Sequence, residues 1–259
     1  MQIDLSGKVV LTTGATGDLG RVMAITFAEC GADVAVHYHR NQAKARDLCQ
    51  QVTQMGRRAV AVQADVTNFE SIEAMRKQVA AELGNPDIIV NNAVIQYKWM
   101  GILDQPIEDY ESQLQSCVMH NVYMAKTFVP AMIAEGWGRV IGINTECFLQ
   151  CWPSQSAYVS GKHGMNGFLN TLAKEIGPHG ITVNQVAPGW MYSDRDREKG
   201  PEEPIREGDA YAKMLPLKFR GIDQDIANVV VFLASDLARF ITGVFIPVNG
   251  GGATIPAWM

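Results

Sequence analysis

The sequence predicts an α/β fold: a single doubly wound domain, residues 1–259, on a parallel sheet of about seven strands. Three observations carry that expectation. Short β-branched runs alternate with longer amphipathic stretches from one end of the chain to the other. The short runs are nearly continuous in apolar residues, the pattern of strands covered by helices on both faces. No repeat, low-complexity tract or linker interrupts the alternation, and 47% hydrophobic against 19% charged residues is enough for one substantial core.

The first strand is expected at Val9–Thr12, running through Thr13-Gly14-Ala15-Thr16-Gly17-Asp18-Leu19-Gly20 into an amphipathic stretch over Leu19–Cys30. Strand, glycine-rich turn and helix in that order mark a Rossmann-type dinucleotide site. Gly14 permits the tight turn and Gly20 lets the helix approach the sheet, so backbone N–H groups and a positive helix end face a pyrophosphate. A carboxylate at Asp18 would repel that pyrophosphate; its other reading is the N-cap of the helix beginning at Leu19.

The second strand, Val34–His37, leads through Tyr38-His39-Arg40-Asn41 into a helix over Gln42–Met55. A fold selective for NAD places Asp or Glu here, ~20 residues beyond the glycine turn, on the ribose 2′-hydroxyl. The nearest carboxylate, Asp33, lies before the strand and should sit at its opposite end. Nothing negative repels a 2′-phosphate, and Arg40 and His39 attract one, so NADP(H) is expected over NAD(H). Gly17 supplies none of the basic character that would strengthen this, and Arg40 read alone is a solvated loop charge.

The third strand, Ala59–Gln63, ends before Asp65-Val66 and a helix over Asn68–Leu83, which Asp65 could cap. The fourth, Ile88–Asn91, opens into Asn92-Ala93-Val94, where Asn91 and Asn92 could simply cap the strand end; a helix over Ile107–Met132 carries Asn121. The fifth, Val140–Asn144, stops at Thr145, and the helix Gln155–Ile176 follows. Strand Thr182–Val186 precedes Pro188-Gly189, and helix Asp223–Leu233 and strand Val244–Val248 complete the alternation. One polar, breaker-rich segment, Ser193–Gly208, reads as a mobile lid over a site.

Tyr158 and Lys162 stand four apart at the start of a helix and so share a face. Alone, such a pair is a solvated helix surface; beside a dinucleotide turn it has a use. Reduction of a carbonyl needs a proton at oxygen as hydride reaches carbon, and a free tyrosine, with pKa ~10, gives up its proton reluctantly. A nearby Lys⁺ and an oxidised nicotinamide favour the phenolate and are expected to lower that pKa.

These motifs together resemble the short-chain dehydrogenase/reductase family over nearly the whole chain, in particular members that reduce 3-oxoacyl-carrier-protein substrates. Thr13-Gly14 to Gly20 is similar to the family's TGxxxGxG turn, with Asp18 at the middle glycine; Tyr158 and Lys162 match its YxxxK pair. Thr145 stands where the family has a catalytic serine, and Asn121 matches an asparagine that holds a water linked to the lysine. Asp65-Val66 resembles the pair beside the adenine, and Asn91-Asn92-Ala93-Val94 the NNAG segment with valine for glycine. Pro188 and Gly189 belong to an N-x-x-x-P-G stretch, and Ser193 takes the place of a threonine on the nicotinamide amide. Tyr38 stands where NAD-selective members carry Asp.

The resemblance implies catalytic Asn121, Thr145, Tyr158 and Lys162. It implies cofactor contacts at Gly14, Thr16, Asp18, Leu19, His39, Arg40, Asp65, Val66, Asn91, Ala93, Tyr158, Lys162, Pro188, Gly189 and Ser193. It also implies a homotetramer, with the helices around Ile107–Met132 and Gln155–Ile176 in one interface and the tail Ala253–Met259 in another. The function expected is an NAD(P)(H)-dependent interconversion of a ketone and a secondary alcohol. A dinucleotide sensor or scaffold with little turnover is the alternative, motivated by Asp18, Val94 and Thr145.

Composition excludes other classes. With 22 basic against 27 acidic residues the net charge is −5, which argues against a general hold on nucleic acid or anionic membrane. No apolar run reaches the ~18–20 residues of a membrane helix. The five cysteines are irregularly spaced, as thiols in a reducing cytoplasm are, and no His/Cys cluster suggests a metal. Aromatics at Tyr97, Trp99, Phe148, Trp152 and Trp190, with Glu146 among them, suggest a pocket for a small molecule of apolar surface and one polar substituent. 3-Oxoacyl thioesters, sugars, steroids and small diketones all fit that description.

Overall fold

The computed structural model describes residues 3–193 and 209–253. Seven strands, β1 (Val9–Thr12), β2 (Asp33–Tyr38), β3 (Ala59–Gln63), β4 (Ile88–Asn91), β5 (Gly138–Ile143), β6 (Ile181–Pro188) and β7 (Phe245–Val248), form one sheet. Their order is β3-β2-β1-β4-β5-β6-β7, with every pairing parallel. The chain winds outward in both directions from between β1 and β4, which opens a crevice at the carboxyl ends of those two strands. Strand composition explains the sheet's place: β1, β4 and β5 are buried throughout, so their apolar residues on both faces need cover.

One face is covered by α1 (Asp18–Glu29), α2 (Gln42–Gln54) and a helix over Asp223–Ala234, through Met23, Phe27, Leu48, Ile226 and Val230. The other is covered by α3 (Phe69–Glu82), α5 (His120–Glu135) and α7 (Ser156–Ile176), through Met75, Met124, Phe128, Met165 and Leu169. Met23, Met75, Met124 and Met165 thus fill the core, as flexible thioethers do. The remaining helices are short: α4 (Ile107–Gln113), α6 (Cys147–Gln150) and α8 (Ala210–Met214), so that Asp223–Ala234 is α9.

Three departures from the sequence expectation bear on the helices around the site. The helix expected over Ile107–Met132 is α4 and α5 joined by a π-helical segment, Leu114–Met119. The apolar spacing is helical throughout, so the extra residue of a π turn leaves no local signature. Helix α1 starts at Asp18, one residue earlier than expected; Gly17 is its N-cap and no side chain caps it, so Asp18 is a first-turn residue, not a cap. Asp65 does not cap α3, because Asn68 does, accepting from the Ser71 N–H at 2.8 Å. Of the expected lid only Ser193 lies among the described residues, and of the expected interface tail only Ala253 does.

The turn after β1 is held by contact. Gly14 has φ +65°, and a Cβ on Gly20 would stand 2.2 Å from the Gly14 carbonyl oxygen. Backbone, not a flexible side-chain tip, occupies that space, so Gly20→Ala has no cheap relief. It is expected to lower stability by about 1–3 kcal/mol in urea denaturation, the range for overpacking, and to weaken dinucleotide binding further than its fold loss explains.

Candidate active site

The crevice between the β1 and β4 ends is a cleft of about 790 Å³. Of the expected cofactor residues, Gly14, Thr16, Asp18, Leu19, His39, Arg40, Asp65, Val66 and Ala93 line it. The first intrahelical bond of α1 is Arg21 N–H to Gly17 O, 2.9 Å. The N–H groups of Asp18, Leu19 and Gly20 precede it and so form a helix end able to receive an anion. These N–H groups and the glycines at 14, 17 and 20 fit a dinucleotide pyrophosphate, while the Asp18 carboxylate, in the first turn of α1, opposes it.

His37 builds the turn, a role its lone place in an apolar strand conceals. The Gly14 N–H donates to His37 Nδ1 at 2.9 Å, and Nε2 lies 3.0 Å from the Ala64 carbonyl. Nδ1 must accept and Nε2 donate, so the buried ring is neutral in a single tautomer. The Ala15 N–H returns to the His37 carbonyl at 3.0 Å. Burial pulls the His37 pKa down to about 4 and that of His120, also buried, to about 3.

At the adenosine end, Tyr38 is buried in the core, while His39 and Arg40 are exposed at the rim of the cleft. Asp33 sits at the far end of β2, ion-paired to Arg58 at 2.7 Å. Burial would raise the Asp65 carboxyl, but the Thr67 hydroxyl and N–H hold it below its ordinary value, with help from His39 and Arg40. Thr13 locks β1 to β4: its Oγ1 donates to Val90 O at 3.3 Å and accepts from the N–H groups of Asn92 and Ala93.

The catalytic candidates meet at the β4–β5 end of the same edge. Asn91 donates to Asn121 Oδ1 at 2.7 Å, and Asn121 donates to Cys117 O at 2.7 Å within the π segment. Lys162 is 4% exposed; its Nζ donates to Ile143 O at 2.6 Å and lies 5.6 Å from the centre of the Tyr158 ring. Burial pushes the Lys162 ammonium down. Thr145, at the end of β5, lies near enough to the Tyr158 phenol to favour its ionised form, and its Oγ1 accepts from Cys147 N–H at 3.2 Å. The expected lowering of the tyrosine pKa is not produced by the chain's own groups. Burial pushes Tyr158 up, Cys147 and Cys117 add to it, and Thr145 only offsets part.

A second cleft of about 470 Å³ opens onto Thr145 and Tyr158 and is walled by Trp99, Trp152 and Trp190. Trp99 stacks on Tyr158, ring centres 5.9 Å apart at 28°. Glu146, 3% exposed, accepts from the Tyr211 hydroxyl, from Trp190 N–H at 3.2 Å and from Asn249 Nδ2 at 3.3 Å. Gly189 borders this cleft, not the larger one. The Pro188 carbonyl accepts from Glu146 N–H at 2.9 Å, and Ser193 lies just beyond Tyr192, which bridges to Ile222. Sequence spacing gave no sign of the partners of Glu146, which come from three separate segments.

Among the described residues no group of three or more His, Cys, Asp or Glu could hold a metal ion, and no helix is long and apolar enough to cross a membrane.

A family model described as enoyl-(acyl carrier protein) reductase matches residues 14–253. The 3-oxoacyl-[acyl-carrier-protein] reductase FabG of Staphylococcus epidermidis is 34% identical over 254 residues, covering 94% of this chain and 98% of that protein. A Serratia marcescens short-chain dehydrogenase/reductase superposes with TM-score 0.87 at 27% identity, over 96% of this chain and 99% of that one. LugOII, a promiscuous reductase that catalyses keto-reduction at C1 in lugdunomycin biosynthesis, superposes at 0.86 with 32% identity, over 96% and 98%. The chain belongs to the short-chain dehydrogenase/reductase family: it is an oxidoreductase, an NAD(P)-dependent ketoreductase. Nothing in these comparisons supports the sensor or scaffold alternative.

The buried neutral histidines make acid stability a test of the turn. The unfolded chain takes up a proton at His37 near pH 6.5, which the folded chain refuses until about pH 4. Stability is therefore complete above about pH 6.5 and lost as pH falls through that window, by on the order of 3 kcal/mol for His37. Urea midpoints between pH 4 and 7 are expected to fall steeply in the parent and less steeply in His37→Asn.

Proposed function

We propose that the chain interconverts a ketone and a secondary alcohol at the meeting of the two clefts, with NADP(H) preferred to NAD(H). The observation that carries this reading is that Thr145 and Tyr158 line the aromatic cleft, with Lys162 Nζ 5.6 Å from the Tyr158 ring, and that this cleft shares Ile95 and Gln96 with the dinucleotide cleft. A bound nicotinamide supplies hydride to the carbonyl carbon, or accepts it from the alcohol carbon. Tyr158 gives its phenolic proton to the carbonyl oxygen in reduction and takes the hydroxyl proton in oxidation. Thr145 donates to the same oxygen and orients it. Lys162 would hold the nicotinamide ribose, and its charge opposes the burial that holds the phenol protonated. Asn121 fixes the end of the proton path through Asn91 and the π segment. With the cofactor bound, Asn91, Ala93, Pro188, Gly189 and Ser193 would border the nicotinamide, Thr16 to Leu19 the pyrophosphate, and Asp65 and Val66 the adenine.

The preference for NADP(H) rests on Arg40 and His39 exposed at the ribose end, with no carboxylate beside them on β2. A homotetramer is supported by Ile102, Leu103, Ile107 and Leu114, apolar side chains left exposed on and beside α4. Five unpaired thiols suit a reducing cytoplasm. The staphylococcal relative's name gives 3-oxoacyl-[acyl-carrier-protein] as one ketone that a similar chain reduces.

Tyr158→Phe is expected to keep cofactor affinity and lose ~10²–10⁴-fold in turnover. Thr145→Ser should retain turnover and Thr145→Ala should not; near-parental rates in Tyr158→Phe contradict the reading. For the cofactor, kcat/KM with NADPH should exceed that with NADH by ~10–100-fold and converge in Arg40→Ala. Light scattering at micromolar concentration should give four times the chain mass.

A further inference from the structure

We infer that the substrate is a polyhydroxylated carbonyl or alcohol, a sugar or cyclic polyol, recognised through its hydroxyl groups; this rests on the ketoreductase reading of the same site. The aromatic cleft is not a plain apolar slot. Gln155 lines it at 5% exposure, and its Oε1 is buried with no hydrogen-bond partner among the described residues. A buried carbonyl oxygen left empty is costly, and such a group marks a position where a donor is to arrive.

Glu146 adds a second acceptor next to Thr145. An ionised carboxylate offers about four acceptor positions, and the protein fills them with the Tyr211 hydroxyl, Trp190 N–H and Asn249 Nδ2. One remains on a residue that lines the cleft. Tyr97 supplies the complementary donor: its oxygen accepts from the Tyr158 N–H at 2.8 Å, which leaves its own hydroxyl hydrogen to give. Around the reacting centre the chain therefore presents two acceptors and a donor, the complement of vicinal hydroxyls.

The walls suit the same class. Trp99, Trp152 and Trp190 are each partly exposed into or beside the cleft, flat apolar faces for the C–H side of a ring. The acyl chain of a thioester carries no donor and would leave Gln155 Oε1 unpaired. An ammonium group could donate to either acceptor but has no acceptor to offer the Tyr97 hydroxyl.

The test is a panel assayed in both directions with NADP(H) and NAD(H): aldoses, ketoses and cyclic polyols against acetoacetyl-CoA, cyclohexanone and an amino ketone. The best polyhydroxylated compound is expected to exceed each of the others by at least about tenfold in kcat/KM, since a site built to bond hydroxyls discriminates against compounds lacking them. In Gln155→Leu that ratio to cyclohexanone should fall about tenfold or more, mainly through KM, while Gln155→Glu, which keeps an acceptor, should restore it. NADPH affinity by fluorescence checks that the variants are folded. Equal or better turnover of acetoacetyl-CoA, cyclohexanone or the amino ketone overturns the inference and leaves the ketoreductase reading standing. So does an unchanged ratio in Gln155→Leu. Absence of turnover with every compound, with cofactor bound, overturns the ketoreductase reading itself.

Discussion

A lysine ammonium buried to 4% beside a sheet has to be satisfied where it lies, and the site is arranged around that demand. Lys162 Nζ reaches the Ile143 carbonyl, the last of β5, at 2.6 Å. That bond sets how far α7 stands from the carboxyl edge of the sheet. Helix α7 can lie there because Gly161 faces the Gln113 carbonyl, where a Cβ would come within 2.9 Å. Tyr158, one turn earlier, is then carried to Thr145 at the end of the same strand. The π segment packed under α7 belongs to this arrangement: its Cys117 carbonyl takes the Asn121 amide, and Asn121 takes Asn91 from β4.

The same edge carries the dinucleotide turn, joined to the catalytic end through Thr13 and Asn92 and held open by His37. A neutral ring there gives Gly14 a partner without a buried charge, at the cost of acid lability. The two ends therefore depend on opposite devices, a buried cation and a buried uncharged base, and both are fixed to main-chain atoms. Such anchoring keeps the geometry indifferent to surface change. Substrate-facing parts are held by side chains instead. Glu146 gathers Trp190, Tyr211 and Asn249 from three segments, and Arg220 bonds the Trp190 and Met191 carbonyls at 2.9 and 2.5 Å.

Much of this was legible in the sequence. Seven strands follow from continuous apolar runs, and the cofactor cleft from glycines placed between strand and helix, because both are local patterns. β2 and β6 extend one or two residues beyond the apolar runs at each end, and β5 begins two residues earlier and ends one sooner than expected, since ladder bonds run through Asp33, Gly138 and Pro188. What was not legible is long-range. His37 in a strand looks like a core residue until its partners at Gly14 and Ala64 are known. The π turn hides inside a helical pattern, and the Glu146 clamp spans 103 residues to Asn249. The expected lowering of the Tyr158 pKa failed in the chain itself because spacing shows the lysine but not the desolvation of the phenol.

That last point gives the most direct test of Tyr158 as the acid–base group beside the nicotinamide. Burial holds the phenol protonated, and only a positive charge beside it brings ionisation toward neutrality. Oxidised nicotinamide is cationic and reduced nicotinamide is not. The pH dependence of kcat/KM should therefore be measured in both directions at saturating cofactor. The account predicts that oxidation of the alcohol falls away below an apparent pKa at least about one unit lower than the one above which reduction of the ketone fails. Superposable profiles, or profiles with no ionisation in either direction, would contradict it.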